Sequence, residues 1–439
     1  MANVKQIYIG LLGLGTVGSG VVKSLLANED HIIAQTGFQV RVKRALVQNL
    51  QKQRSVRIDQ DFLTTDAISV LVDPEISIVV EVMGGIEPAL GYIRSALQAG
   101  KHVITANKEL LAKHGDELAL IAKNAGVRLL YEASVAGGIP IVRMLQAYLT
   151  ANRVTSIRGI LNGTSNYILT RMQGAEVTFA QALAEAQQLG YAEAAPQSDV
   201  EGYDAAYKLS ILANMAFPVQ TEIACVDRMG ITEIEPVDIA FAKQLGCVIK
   251  LIAEASYKGG QVRLSVSPKL LSQSDSLATI SDVFNAVTVE ADVVGELTFI
   301  GRGAGEMPTA SAVIEDIVEV LRTPTIPATA PKQKGTCAGV GVFHLREVQN
   351  YYVRIHFAKK EDAIHVSAWE TAAFCSEDRI LEVGRTKDEY TRAYLIATDD
   401  RKRIDKFIQM TGVLSWIVMP YGGDFVVHCS EPLTELSTG

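Results

Sequence analysis

The sequence predicts an α/β protein that opens on a doubly wound parallel sheet and continues into an α+β domain and a small α+β C-terminal module. Three observations carry this. Strand-like and helix-like stretches alternate over the first ~135 residues, the pattern of βαβ units. The glycines Gly13, Gly15 and Gly18 form a GxGxxG turn between the first strand and a helix, which makes the sheet Rossmann-type. Proline-rich Thr323–Thr336 reads as a semi-rigid linker, so a separate module is expected after it.

Composition narrows the function classes. Of 439 residues, 48% are hydrophobic, enough for large cores. A net charge of −8 and the lack of basic runs argue against nucleic acid or an acidic membrane as partner and leave small molecules. No apolar run approaches the ~18 residues of a membrane span, and no signal-peptide pattern opens the chain, so a cytoplasmic protein is expected. Cys225, Cys247, Cys337, Cys375 and Cys429 lack CxxC spacing, which predicts reduced thiols rather than a zinc site. His344, His356, His365 and His428 form no metal-ligand pattern.

Taken in order, Ile7–Leu12 is a strand and Thr16–Ala27 a helix whose N-terminus, with Gly13, Gly15, Thr16, Val17 and Gly18, suits a pyrophosphate. Strands follow at Phe38–Val47, Ile76–Val82, His102–Thr105 and Val127–Glu132, with helices at Pro88–Ala99 and Asn107–Asn124. Ligands gather at the carboxyl ends of such strands, which singles out the Met83-Gly84-Gly85 turn and the residues Thr105 to Lys108. Lys108 is notable because a cation is unfavourable at a helix start. At the end of the second strand, Val47-Gln48-Asn49 replaces the acid that would bind a ribose 2′-hydroxyl, and Arg44, Lys52 and Arg54 are close by. They are either solvated loop charges or a seat for the 2′-phosphate of NADP.

The second domain begins after Tyr131, with a helix at Pro140–Thr150, a strand at Val154–Leu161, a turn at Asn162–Asn166 and a helix at Tyr167–Met172. Strands are expected at Gln261–Val266, Asp292–Ile300 and Ala278–Asn285; Phe299–Glu306 is a second glycine-rich turn before the helix Thr309–Arg322. Ser198 and Glu201 have capping-box spacing, so one helix is expected from there through Ala216. It would place Asp204 and Lys208 four apart, with Lys208 in the apolar stripe beside Ala205, Ile211 and Leu212. Two readings stay open: a surface ion pair, or a desolvated lysine held by an aspartate and able to donate a proton near neutral pH. Glu193 and Asp199, just before the helix, suit a substrate ammonium group or plain solvent. In the last module, strands are expected at Tyr351–Phe357, Ala363–Ala368, Tyr390–Ala397, Val413–Met419 and Asp424–His428, with a helix at Arg401–Met410.

The motifs GLLGLGTVGSG, EVMGG, TANKELLA, YEASVAGGIPI, LNGTSNYIL, GYAEAAPQSDVEGYDAAYKLSILA and GRGAGEMPTASAV, in order over residues 5–325, closely resemble homoserine dehydrogenase. The resemblance implies reduction of L-aspartate 4-semialdehyde to L-homoserine with NADP, or NAD, on the route to threonine and methionine. It implies Lys208 as proton donor, Lys108 as the second lysine at the reacting centre, and Asp204, Glu193, Asp199 and Gly190 as substrate contacts. Thr16, Val17, Lys108 and Gly305 match cofactor contacts; Glu132, Val135, Gly137 and Ile139 match a monovalent-cation site, for an ion such as sodium. The implied units are a dinucleotide-binding domain at 1–135, onto which helix 308–322 packs back, a catalytic and dimerisation domain at 136–307, a linker at 323–344 and an ACT-like domain at 345–439. A homodimer or homotetramer is implied. Two departures stand out. Ala195 occupies a place where many members carry Asp, and the strand Tyr351–Ile355 runs on into Phe357-Ala358-Lys359-Lys360-Glu361-Asp362 without the glycine turn at which ACT domains hold an effector, so a weak response to threonine is expected. The alternatives are an idle cofactor or amino-acid sensor and a reductase of another small amino-acid aldehyde.

Overall fold

In the computed structural model, which describes residues 4–56, 60–174, 176–323, 333–334, 348–359, 362, 373–375, 377–410 and 413–422, the first strand sets the architecture. From Ile9 to Leu12 four consecutive residues of β1 (Lys5–Leu12) are buried, as a central strand covered on both faces requires. It pairs in parallel with β2 (Phe38–Leu46) on one side and with β4 (Ile76–Glu81) on the other. With β3 (Leu63–Thr64), β5 (His102–Thr105) and β6 (Leu129–Leu130) the order is β3-β2-β1-β4-β5-β6, the doubly wound arrangement expected. The strand order reverses between β1 and β4, which opens a crevice at the end of β1 beside the glycine turn. Helix α1 (Thr16–Ala27) lies on one face, and α2 (Ala89–Gln98) packs with α3 (Lys108–Ala125) in the core of the other.

The chain crosses to a second, mixed sheet built on β7 (Val154–Ile160). Its remaining strands are β8 (Val226–Arg228), β9 (Cys247–Lys258), β10 (Gln261–Ser272), β11 (Phe284–Ala291) and β12 (Gly295–Arg302), in the order β12-β11-β7-β9-β10-β8. Helices α4 (Gly163–Met172), α5 (Phe179–Gln188), α6 (Gln197–Val200), α7 (Tyr203–Ala216) and α8 (Pro236–Gln244) accompany it. Then α9 (Glu306–Arg322) returns to the first domain, where Ala310, Val313 and Ile317 share a core with Val21 and Leu25. Gly20 makes this approach possible: a Cβ there would meet the Glu306 carbonyl oxygen at 2.7 Å.

Several boundaries differ from expectation. The helix foreseen from Ser198 to Ala216 is two helices, because Gly202 adopts φ 81° between them; no capping box forms, and α7 begins one residue before Asp204. The turn foreseen at Asn162–Asn166 is already helical, since the Asn162 side chain caps α4 by accepting the Ser165 N–H. The helix expected at Pro140–Thr150 is a single α turn at Ile141–Arg143, a π turn at Met144–Tyr148 and a 3-10 turn at Leu149–Ala151. The strand expected at Ala278–Asn285 lies at Phe284–Ala291, and the one at Val127–Glu132 shortens to β6. β9 went unforeseen because Lys250 and Glu254 interrupt its apolar run; Lys250 is buried by donating to Asn166 Oδ1 at 3.1 Å. Cys225 is disulfide-bonded, against the expectation of reduced thiols. Cys247 and Cys375 are free, and one-dimensional spacing carried no sign that Cys225 differs from them. Most of the linker expected at 323–344, and all of the strands expected at Ala363–Ala368 and Asp424–His428, lie outside the described residues. Among the described residues no helix is long and apolar enough to cross a membrane.

The C-terminal module is a four-stranded antiparallel sheet of β13 (Gln349–Phe357), β14 (Arg379–Arg385), β15 (Thr391–Thr398) and β16 (Val413–Pro420), in the order β14-β15-β13-β16, with helix α10 (Arg401–Met410). Alternation along β13 feeds two cores. Val353, Ile355 and Phe357 join Ile404 and Phe407 of α10, whereas Tyr352 joins the core of the second domain together with Leu395 and Met419. At that junction Arg354, 2% exposed, donates from Nε to Oδ1 of Asp238, 0% exposed, at 2.9 Å; the Tyr352 hydroxyl donates to the same oxygen at 2.8 Å. Glu235 completes the network as a second partner of the guanidinium. Truncating Arg354→Ala leaves Asp238 buried without its cation, so a loss of about 3–5 kcal/mol is expected in urea unfolding. A loss below about 1 kcal/mol would show that this contact does not hold the module in place.

Candidate active site

Asp204 is the hub of the charged centre. It sits in the first turn of α7 at 4% exposure, and Lys208, one turn on, is 8% exposed, which rules out a surface pair. Lys208 Nζ donates to Asp204 Oδ2 at 2.7 Å and to the Leu161 carbonyl at 2.7 Å. An ammonium carries three hydrogens, so one remains for a substrate oxygen. From the first domain, Lys108 Nζ reaches Asp204 Oδ1 at 3.1 Å. Asn162 Nδ2 donates to Asp204 Oδ2 at 2.9 Å and to Asp199 Oδ1 at 2.7 Å. Burial pushes the Asp204 carboxyl up, but Lys208, Lys108 and Asn162 outweigh it and hold the group well below the usual carboxylate range. The charge of Asp204 in turn raises the Lys108 ammonium against the opposing effect of burial, and Asp199 and Glu193 add to it. Asp199 is raised, first by burial and then by the charge of Asp204.

The structure thus brings Lys108, Asp199, Asp204 and Lys208 together, with Glu193 close enough to be felt at Lys108. Glu193 is exposed, and its carbonyl accepts from Gln187 Nε2 at 3.1 Å; Gly190 turns the same loop at φ 74°.

Lys108 is delivered by the crevice of the first sheet. Asn107 caps α3 by accepting the Leu110 N–H at 3.2 Å, and its Nδ2 donates to the Gly85 carbonyl, tying the helix start to the turn after β4. Beneath them lies Glu81, wholly buried, accepting from Thr105 Oγ1 at 2.6 Å and from the Met83 N–H at 2.7 Å. Burial raises its carboxyl, while these bonds oppose the rise. Across the crevice Gly13 holds φ 102°, and a Cβ on Gly18 would meet the Gly13 carbonyl oxygen at 2.4 Å. No side chain caps α1 at Gly15, so the first N–H groups of the helix are directed at the crevice. That cradle fits a pyrophosphate. Gly305, at φ 125°, precedes the first residue of α9.

Near the crossing between domains, Glu132 accepts the N–H groups of Val142 at 2.9 Å and Arg143 at 2.8 Å, so its carboxylate is already committed. Ala136 and Gly137 are both left-handed, at φ 54° and 49°. The donors this turn leaves for an ion are neutral carbonyl oxygens, which suit a monovalent cation and not a transition metal. Among the described residues no cluster of His, Cys, Asp and Glu could hold a metal ion. Asp316 of α9 accepts the Glu132 N–H at 2.9 Å, and its carboxyl is raised to about 8, chiefly by burial.

A Rossmann crevice that brings its own partly exposed Lys108 to a buried Asp204–Lys208 pair on a second domain defines a dinucleotide-dependent oxidoreductase of the two-domain type. Comparison with known proteins sharpens the class. A profile described as homoserine dehydrogenase matches residues 140–318, and one described as homoserine dehydrogenase, NAD binding domain, matches residues 13–132. The homoserine dehydrogenase of Bacillus subtilis is 46% identical over 319 residues, 73% of this chain and 74% of its own; that of Synechocystis is 45% identical over 72% and 73%. Among solved structures, a homoserine dehydrogenase from Thiobacillus denitrificans superposes with TM-score 0.83 at 35% identity, covering 95% of this chain and 98% of that one. A hyperthermophilic archaeal homoserine dehydrogenase in complex with NADPH gives 0.61 at 26% identity over 73% of this chain and 100% of that one. The chain belongs to the homoserine dehydrogenase family, NAD(P)-dependent oxidoreductases of amino-acid biosynthesis.

Asn162, Glu81 and Asp316 were not foreseen. Asn162 had a signal, as an N-cap residue after a strand; a buried acid such as Glu81 or Asp316 has none in sequence. Asp316 makes a pH prediction. Its folded-state pKa of about 8 lies above the unfolded value near 3.9, so the folded protein binds the extra proton and stability falls as pH rises through that window. Asp316→Asn keeps an acceptor for the Glu132 N–H and does not titrate. Between pH 6 and 8.5 its melting temperature is expected to fall less than that of the parent; parallel curves would refute the assignment.

Proposed function

We propose that the protein reduces L-aspartate 4-semialdehyde to L-homoserine with NADPH. The observation that carries this reading is the Asp204 carboxylate shared by Lys208 and Lys108 at the mouth of the dinucleotide crevice. Gly13, Gly15, Thr16, Val17, Gly18, Lys108 and Gly305 hold the cofactor, which when bound supplies a hydride to the aldehyde carbon. Negative charge then grows on the carbonyl oxygen, and Lys208 donates its uncommitted proton there. Lys108 keeps its own proton and continues to neutralise Asp204 as Lys208 becomes neutral. Glu193 and Asp199, with the backbone at Gly190, take the substrate ammonium. Main-chain carbonyls of Glu132, Val135, Gly137 and Ile139 take a monovalent cation with a structural role.

NADPH is preferred over NADH in this reading because Arg54 lies in the loop that follows β2. Its guanidinium donates to the carbonyls of Asn49 and Lys52, the latter at 2.8 Å, and the Gly13 N–H bonds Leu46 at 3.0 Å, so the basic loop borders the glycine turn. The C-terminal module is read as a divergent ACT-like domain with a weak response to threonine, and the enzyme as a homodimer or homotetramer.

The direct test is NADPH oxidation on addition of aspartate 4-semialdehyde, compared with other small aldehydes; faster turnover of another aldehyde would replace the substrate assignment. Lys208→Ala is expected to lower kcat by about 10²–10⁴ while NADPH binding persists, and a fall below about tenfold would remove Lys208 as the acid. Arg54→Ala should reduce kcat/KM with NADPH about tenfold and leave the NADH value unchanged. Equal losses with both cofactors would reject a 2′-phosphate contact.

A further inference from the structure

We propose that Asn162 is a positioning residue for this reaction: its one amide group, locked by the helix it caps, bridges Asp199 and Asp204 and divides their tasks. The inference rests on the proposed reduction and concerns the same site. Asn162 lies two residues past the end of β7 and is 5% exposed. Its Oδ1 accepts the Ser165 N–H at 2.8 Å, so the oxygen end of the amide is fixed by the start of α4. The NH2 end must then face the two carboxylates, which only accept. One hydrogen goes to Asp199 Oδ1 at 2.7 Å and the other to Asp204 Oδ2 at 2.9 Å.

The division of tasks follows from the neighbours. Asp204 is bound by both lysines, whereas Asp199 has no cation within ion-pair distance among the described residues. Of these two acids Asp199 is therefore the one left to join Glu193 in meeting a substrate ammonium, and it can do so only when ionised. Burial and the charge of Asp204 both work against its ionisation, and the Asn162 hydrogen bond is the foremost of the contacts that favour it. Lys208 gains as well, because its other acceptor is the carbonyl of Leu161, the residue before Asn162. The peptide segment 161–162 thus sets the acid's lysine and the ammonium-binding carboxylate in one frame.

Two variants separate this role from capping. Asn162→Asp keeps an acceptor for the Ser165 N–H but loses both amide hydrogens and adds a third acid. Asn162→Ser keeps the cap, and its single hydroxyl cannot bridge both carboxylates. For Asn162→Asp we expect kcat/KM for the semialdehyde at pH 7 to fall about 100-fold, and for Asn162→Ser about tenfold. The acid limb of the kcat/KM profile should move up by about one pH unit or more in Asn162→Asp, with the NADPH dissociation constant within about twofold of the parent. An acid limb that stays in place in Asn162→Asp would leave Asn162 as a helix cap only and overturn the proposal. The carboxyl titration of Asp199, followed by carbon-13 NMR of aspartate-labelled protein and assigned with Asp199→Asn, reads the bridge without any substrate. An upward shift in both variants supports the proposal even if the semialdehyde is not the substrate, and an unmoved titration defeats it even if it is.

Discussion

A single carboxylate, Asp204, is what the arrangement of the two domains depends on at the site. Two ammonium groups, Lys108 from the first domain and Lys208 from the second, converge there, and without an anion between them they would repel. Asp204 can stay ionised in so buried a place because three donors surround it. The cluster Lys108, Asp204, Lys208 carries one net positive charge when all three are ionised. That charge is arranged before any substrate arrives, which is the condition under which a developing oxyanion is stabilised most.

The local backbone is shaped to present this carboxylate. Left-handed Gly202 ends α6 and lets α7 start in a new direction, and a Cβ on it would crowd Val266 at 3.1 Å. The Ile231 N–H bonds the Val200 carbonyl at 2.8 Å and pins the break to the segment beyond β8. As a result Asp199 and Asp204, on separate helices, face one asparagine. A continuous helix would have set them five residues apart, on different faces.

Four strands of the first sheet, β1, β2, β4 and β5, were legible to within two residues and α1 to the residue, because buried parallel strands are plain apolar runs and the helix has a glycine start and apolar periodicity; the two-residue strands β3 and β6 are too short to carry such a signal. Lys108 and Lys208 were legible as anomalies, a cation at a helix start and a charge in an apolar stripe. Asn162 was not, since its importance lies in what Asp199 and Asp204 do in space. β9 failed for a related reason: Lys250 breaks the pattern, and only the Asn166 oxygen and the Ile280 carbonyl explain how an ammonium stays in the sheet. The Arg354–Asp238 pair is a contact between distant segments, which periodicity cannot register.

The docking of the C-terminal module has a mechanical consequence. Its sheet is held between α10 and the second domain, with the Asp238 end of the contact on α8, immediately before β9. β9 pairs with β7 at Ala253–Ser256, and β7 leads directly to Leu161 and Asn162. Moving the module would therefore strand a buried aspartate and an arginine, a cost of about 3–5 kcal/mol and so a large share of a domain's net stability. A ligand could drive such a movement only through an affinity difference of similar size between the two states. The physical default is a module that travels with the catalytic sheet as one body, so that any effect it has on Asn162 comes through the packing of β9 against β7.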